Sequence, residues 1–284
     1  MKVLLLGSSG MLGHMVKQYF SENGYEVVET SREKQDKYYF DAMDNIWSLE
    51  NVIAEIQPDV IINCIGILNK DAEDNHDKAV LINSYLPHYI DRLSVKYNFK
   101  LIHISTDCVF DGAKGEYTEK SFRDATSFYG RSKALGEIEN DRNLTLRTSI
   151  VGPDTNPTGI GLFKWFMEQD GQIDGFSNVI WTGVTTLQLA KSIEKAINSN
   201  LSGLYHVVNN EKIDKYSLLK LFQKYFKTDI VINKKSDYVS DKSIISTRND
   251  FNFNVPSYED MIIEMKEWIL NHPNLYGNLI STIK

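Results

Sequence analysis

The sequence predicts an α/β chain in which a doubly wound parallel sheet is followed by a smaller C-terminal region. Short apolar runs alternate with longer segments of helical period through the first half, and a glycine-rich turn follows the first run at once. After Pro153 this alternation loosens. The chain has 284 residues, enough for one large domain or two unequal ones. With 42% hydrophobic and 24% charged residues it has the composition of a folded globular protein, which excludes disordered, collagen-like and coiled-coil chains. A net charge of −7 disfavours a surface built to neutralise nucleic-acid phosphates or anionic lipid, and leaves a small, locally placed ligand.

Residues 3–6 read as a buried strand. Leu12, Met15, Val16, Tyr19 and Phe20 then recur at helical steps and share one face, and Asn23-Gly24 stops that helix. Residues 25–30 form the second strand. Further strands are expected at 59–63, 101–104 and 144–150, with helical stretches near 45–56, 76–97 and 126–140 between them. Right-handed crossovers make this a doubly wound sheet. Beyond it, 186–199 and 215–227 are helical, the second with Leu218, Phe222, Tyr225 and Phe226 on one face, and 204–208 is a strand. The expected division is a dinucleotide-binding part at 1–152, returning at about 183–209, and a substrate-binding region formed by 153–182 and 210–284.

The two cysteines, Cys64 and Cys108, have no metal-ligand spacing, so neither a disulfide framework nor a paired-cysteine metal site is expected. The apolar run before Gly7 is too short for a signal-peptide core, and no stretch reaches the roughly 18 apolar residues of a membrane span. These features predict a cytoplasmic protein with no membrane or nucleic-acid partner.

Gly7-Ser8-Ser9-Gly10-Met11-Leu12-Gly13 follows a strand and opens an amphipathic helix. Glycines let the backbone turn tightly and approach a pyrophosphate, whose charge then meets the N–H groups of the helix N-terminus. In this context the run reads as the phosphate turn of a Rossmann-type sheet. The second strand should end about 20 residues on, where an acidic side chain would grip an adenosine ribose. Here Ser31-Arg32 stand instead, and a guanidinium in place of a carboxylate favours NADP(H), with NAD(H) the alternative.

Tyr129 and Lys133 are four residues apart on one helix face, where an ammonium would lower the pKa of the phenol. Tyr216/Lys220 and Tyr238/Lys242 share the spacing and read as incidental, one on a packed helix and one in a polar loop. Tyr129 differs because Ser105-Thr106-Asp107-Cys108-Val109-Phe110-Asp111-Gly112 begins where the strand 101–104 ends, at the sheet edge where ligands bind.

With these motifs the chain resembles an extended short-chain dehydrogenase/reductase, and its Ser-Thr-Asp-x-Val-Phe-Asp-Gly run is similar to that of the dTDP-4-dehydrorhamnose reductase group. The likeness extends over Asp41 to Asp44, Asn63-Cys64-Ile65-Gly66, Asn83 and Arg147-Thr148-Ser149. The resemblance implies that Tyr129 donates a proton to a ketone oxygen while a nicotinamide delivers hydride to its carbon. Thr106 would hydrogen-bond the same oxygen, and Lys133 would tune the phenol and hold the nicotinamide ribose. It further implies a cofactor trough formed by Gly7, Ser9, Gly10, Met11, Leu12, Gly13, Ser31, Arg32, Asp41, Asn63, Cys64 and Gly66. Asn83 has a purely structural reading as well, satisfying backbone groups inside the helix and strand layer.

Two departures bear on the substrate. Cys108 stands where the rhamnose reductases usually carry Tyr, and Ile150-Val151-Gly152 where they carry an aromatic pair. The expected function is therefore NADPH-dependent reduction of the 4-keto group of a nucleotide-linked 4-keto-6-deoxy sugar, dTDP-4-dehydrorhamnose or a related UDP-linked sugar, for surface polysaccharide synthesis. GDP-fucose synthases carry a cysteine at the position of Cys108, so a combined epimerase-reductase is one alternative. A non-catalytic NADP-binding regulatory subunit with the reductase fold is another, and a homodimer is compatible with either.

Overall fold

The computed structural model describes residues 1–209 and 211–283, so the expected region bounds at 210 and 284 lie outside the described residues. The chain runs through β1 (Lys2–Leu6), α1 (Met11–Glu22), β2 (Glu26–Glu29), α2 (Ala42–Asn45), α3 (Ser48–Ile56), β3 (Val60–Asn63), α4 (Asn69–Asp74) and α5 (His76–Ala79). A π-helical stretch, Val80–Tyr85, leads into α6 (Leu86–Tyr97), followed by β4 (Lys100–Thr106), α7 (Phe128–Leu135) and β5 (Leu144–Thr148). The remainder is β6 (Ile150–Val151), α8 (Leu162–Met167), β7 (Gln172–Phe176), β8 (Val179–Trp181), β9 (Val184–Thr185), α9 (Thr186–Asn198) and β10 (Gly203–His206). It closes with β11 (Ile213–Asp214), α10 (Lys215–Tyr225), β12 (Val231–Lys235), β13 (Ser240–Asp241), α11 (Tyr258–Asn271) and α12 (Pro273–Ile280).

Six parallel strands form the central sheet in the order β10-β5-β4-β3-β1-β2. Its strands are apolar on both faces because helices cover both. Val3, Leu5, Ile62 and Ile102 pack with Met15 and Val16 of α1 and Ile193 of α9, while Leu4, Leu6, Ile61 and Leu101 pack with Leu49 and Ile53 of α3 and Leu86 and Ile90 of α6. From β1 the chain steps outward to β2 and then crosses back to β3, so the strand order reverses between β1 and β3. At such a switch the two crossovers diverge and leave a crevice at the carboxyl ends of the strands.

The expected strand 144–150 is broken in two. Thr148 ends β5, and Ile150–Val151 leave the central sheet to pair with β9. The broad helical stretch at 126–140 is shorter, since α7 ends at Leu135. The sequence analysis assigns no element to 258–280, where α11 and α12 lie. α11 is capped by Ser257, whose side chain accepts from Asp260 N, and buries Met261, Ile262, Met265 and Ile269 against the core that includes α1 and α9.

Candidate active site

The glycine turn follows from two steric constraints. Gly7 adopts φ +81°, a left-handed backbone that favours glycine, and a Cβ on Gly13 would lie 2.0 Å from the Gly7 carbonyl oxygen. Helix α1 therefore starts against the turn itself. Its cap is Gly10, with no side-chain capping bond and no acidic residue in the first turn. The amides of Met11, Leu12 and Gly13 thus form a positive helix end without a side-chain cap, suited to an anion. Gly7, Ser9 and Gly10 line a cleft of about 970 Å³ together with Cys64 and Gly66. A Cβ on Gly66 would meet only Asn83 Oδ1, at 3.6 Å, so protein packing does not demand glycine there. An uncapped helix end and a glycine-bared wall in one cleft fit a dinucleotide.

Ser31, Arg32 and Asp41 line the same cleft, with Arg32 exposed. Asp41 is partly committed, because Oδ1 accepts from Met43 N at 2.9 Å and caps α2. Glu29, the last residue of β2, also lines the cleft. Lys17 pairs with it at 2.6 Å. Burial raises the pKa of Glu29, but Lys17 and Ser8 outweigh it and hold the carboxyl below its ordinary range. Strand alternation made Glu29 legible, but its pairing with Lys17 was not.

The reacting groups gather at the end of β4. Thr106 Oγ1 accepts from Cys108 N at 3.1 Å and donates to Asp107 Oδ1 at 3.2 Å, turning the chain into a short 3-10 segment, Asp107–Val109. Helix α7 is capped by Ser127, whose hydroxyl accepts from Gly130 N at 3.1 Å. A Cβ on Gly130 would stand 2.1 Å from the Cys108 carbonyl oxygen, so glycine is what lets α7 approach this turn. Next to it stands Tyr129, whose phenol is close enough to Thr106 for the threonine side chain to influence its proton equilibrium.

Tyr129 departs from expectation in the sign of its shift. Burial, reinforced by Cys108 and Asp107, raises the pKa of the phenol, and only the neighbouring Thr106 opposes this. The phenol is held as an acid, ready to donate. Burial lowers Lys133 to about 8 despite Glu137 and Cys64, and its ammonium nitrogen donates to Ile104 O at 2.7 Å.

Asn63 is fully buried and does not face the cleft. Its Oδ1 accepts from Ile65 N at 3.1 Å and its Nδ2 faces His103 Nδ1 at 3.2 Å, so both arms are used inside the protein. Asn83 follows the structural reading. It accepts from Ile67 N at 2.9 Å and donates to Ile67 O at 2.9 Å and Ser132 Oγ at 3.0 Å, tying the loop after β3 to α7.

Burial and the neighbouring Asp107 push the Cys108 thiol up to about 12, so it stays protonated. Lys215, the first residue of α10, was not singled out from the sequence. Its ammonium lies 5.0 Å over the Trp181 ring, burial lowers it to about 8, and its field reaches Asp107 and Cys108. The C-terminal region thereby brings a cation to the turn that holds Thr106. The other tyrosine-lysine pairs lie elsewhere: Tyr216 packs against Gly175 and Ile232 across from Lys234, and Tyr238 is exposed.

A parallel sheet with a glycine turn at its switch point, and a threonine, tyrosine and lysine clustered at the end of β4, give the chain the fold and the side-chain set of NAD(P)-dependent oxidoreductases of the extended short-chain dehydrogenase/reductase superfamily. Residues 1–241 match the RmlD substrate binding domain, and the chain belongs to that family. The spore coat polysaccharide biosynthesis protein SpsK of Bacillus subtilis is 28% identical over 215 residues, 74% of each chain. The methionine adenosyltransferase 2 subunit beta of Xenopus laevis is 26% identical over 233 residues, 76% of this chain and 70% of that protein. In fold, the dTDP-4-dehydrorhamnose reductase of Bacillus anthracis, solved in complex with NADP, superposes with a TM-score of 0.78 at 24% identity, covering 93% of this chain and 98% of that one. Among the described residues no helix is long and apolar enough to cross a membrane.

Proposed function

We propose that the protein reduces the 4-keto group of a nucleotide-linked 4-keto-6-deoxy sugar with NADPH, in the cytoplasm, as a step toward a surface polysaccharide. The observation that carries this reading is the gathering of Thr106, Tyr129 and Lys133 at the end of β4, where Gly130 lets α7 press against the turn after Thr106 and Lys133 Nζ donates to Ile104 O at 2.7 Å. Gly7, Ser9, Gly10 and the amides of Met11, Leu12 and Gly13 would hold the pyrophosphate. Ser31, Arg32 and Asp41 would hold the adenosine end, with Cys64 and Gly66 lining the same cleft. When bound, the cofactor supplies hydride to the ketone carbon. Tyr129 would give its proton to the developing alkoxide, Thr106 would turn its hydroxyl from Asp107 to donate to the same oxygen, and Lys133, with its equilibrium near 8 and still mostly protonated at neutral pH, would supply a cation nearby. Residues 153–182 and 210–284 would form the sugar-binding region around Lys215. The likeness to SpsK supports a polysaccharide precursor as substrate.

A second reading, a non-catalytic subunit with the reductase fold, is favoured by the likeness to methionine adenosyltransferase 2 subunit beta. The two separate when the protein is incubated with NADPH and with dTDP-4-dehydrorhamnose or a UDP-linked 4-keto-6-deoxy sugar, and NADPH absorbance is followed. Consumption of NADPH with formation of the alcohol supports the reductase. Cofactor binding without turnover on any of these sugars supports the subunit.

A further inference from the structure

His103 lies fully buried in the middle of β4, between two side chains already placed at the site. Its Nδ1 faces Asn63 Nδ2 at 3.2 Å and its Nε2 faces Lys133 Nζ at 3.5 Å. The Asn63 amide cannot be turned over, because its Oδ1 accepts from the Ile65 amide at 3.1 Å, and an N–H cannot accept in return. The group facing His103 is therefore an NH₂ donor, and Nδ1 must be the bare, accepting nitrogen. Burial, with the charges of Lys133 and His88, holds the imidazole well below its ordinary value, so the ring is neutral and carries a single proton. That proton is on Nε2, the nitrogen turned to Lys133.

We propose that His103 is a positioning residue for Lys133: held by Asn63 in its Nε2–H tautomer, it presents a donor to the lysine nitrogen and so favours the free amine over the ammonium. An ammonium has only donors and would meet an N–H head on, whereas an amine accepts from His103 Nε2 while still donating to Ile104 O at 2.7 Å. The other groups facing Lys133 are Glu137 and Cys64, and both favour its charged form. His103 and burial work against them. The direction agrees with the lysine's descent from 10.5 to about 8, which brings its proton equilibrium close to neutral pH. Proton exchange at the site is then set from beneath, by the Asn63–His103 pair, and not by Tyr129 and Lys133 alone. Only the kinetic meaning of this arrangement rests on the proposed reductase function; the tautomer and the titration do not.

The test uses the full chain without added nucleotide, so it stands or falls independently of any substrate. Nitrogen-15 NMR of the labelled protein should show one histidine, absent from the His103→Gln spectrum, with a bare Nδ1 and a protonated Nε2. The reverse tautomer in that histidine would overturn the proposal. Carbon and nitrogen resonances of the lysine side chains should include two that titrate near pH 8, those of Lys133 and Lys215, with Lys133 assigned by its loss in Lys133→Met. In His103→Gln the side-chain oxygen can accept from an ammonium, so the Lys133 midpoint should rise by about one unit, a tenfold gain in proton affinity. If Lys133 titrates with the remaining lysines, or its midpoint does not move in a folded His103→Gln, the proposal fails. Should that variant not fold, the tautomer and lysine titration of the unmutated protein decide the question by themselves.

Discussion

The Arg147 guanidinium donates to both oxygens of Glu137, at 2.8 and 2.6 Å, with neither side chain exposed to solvent. The same carboxylate accepts from Ser105 Oγ at 2.6 Å, so the pair fixes the residue before Thr106 and joins β5 to the loop after α7. Breaking a buried ion pair leaves an uncompensated charge. Arg123 Nη1, 2.8 Å from the same carboxylate and partly exposed, remains as a second cation, so Arg147→Met should cost toward the lower end of about 3–5 kcal/mol of unfolding free energy, measured by urea denaturation. A loss within the error of the measurement would mean that the pair contributes nothing.

Acid stability should depend on His206, whose Nε2 meets Arg147 at 2.7 Å. Burial and the Arg147 charge lower its value from 6.5 to about 4. A base with a lowered folded value is neutral in the native state while the unfolded chain takes up a proton. Its contribution is complete above pH 6.5 and declines as the pH falls toward 4. Stability should fall through this window, with a shallower slope in His206→Gln; equal slopes would exclude His206 as the cause.

Tyr129→Phe keeps the ring and removes the proton donor, so reduction should drop by about 10²–10⁴ while NADPH still binds. Tyr216→Phe and Tyr238→Phe should leave the rate unchanged. Lys133→Met should weaken both cofactor affinity and turnover. Titration with NADPH followed by steady-state assay distinguishes these patterns, and full activity of Tyr129→Phe would move the site to another helix.

Arg32 is exposed at the cleft, with the Glu29 charge already paired to Lys17. A charge-assisted bond to a 2′-phosphate is worth about 1.5–3 kcal/mol, so Arg32→Ala should weaken NADPH by roughly ten- to a hundredfold and NADH little. Equal affinity of the unmutated protein for the two cofactors would refute this selectivity.

The Cys108 thiol, held protonated near 12, is a poor base for epimerisation. Cys108→Ser should keep turnover within about tenfold, and no solvent deuterium should enter the sugar carbon beside the ketone. Deuterium incorporation that disappears in Cys108→Ser would instead establish the epimerase-reductase.

Much of this was legible in the sequence because it is local. Apolar runs such as Val3 to Leu6 mark strands that are covered on both faces, and Tyr129 and Lys133 fall on one helix face by spacing alone. Ser257 followed by Met261, Ile262, Met265 and Ile269 carries the same kind of signal for α11, which the sequence reading passed over. Other features had no local signal. The sign of the Tyr129 shift depends on how deeply α7 presses against the turn after β4, which the contact of Gly130 with Cys108 sets.

Periodicity, glycine placement and residue type are properties of short segments, so the sheet, the glycine turn and the chemistry of the clustered side chains can be read along the chain. Only the tertiary structure decided which faces those side chains present. Asn63 turns inward to His103, Glu29 enters the cleft, and Lys215 reaches Asp107 from more than a hundred residues away. Hydrogen-bond partners and burial are set by the packing of distant segments, and it is burial that moves the proton equilibria of Tyr129, Lys133 and Cys108 away from their values in water.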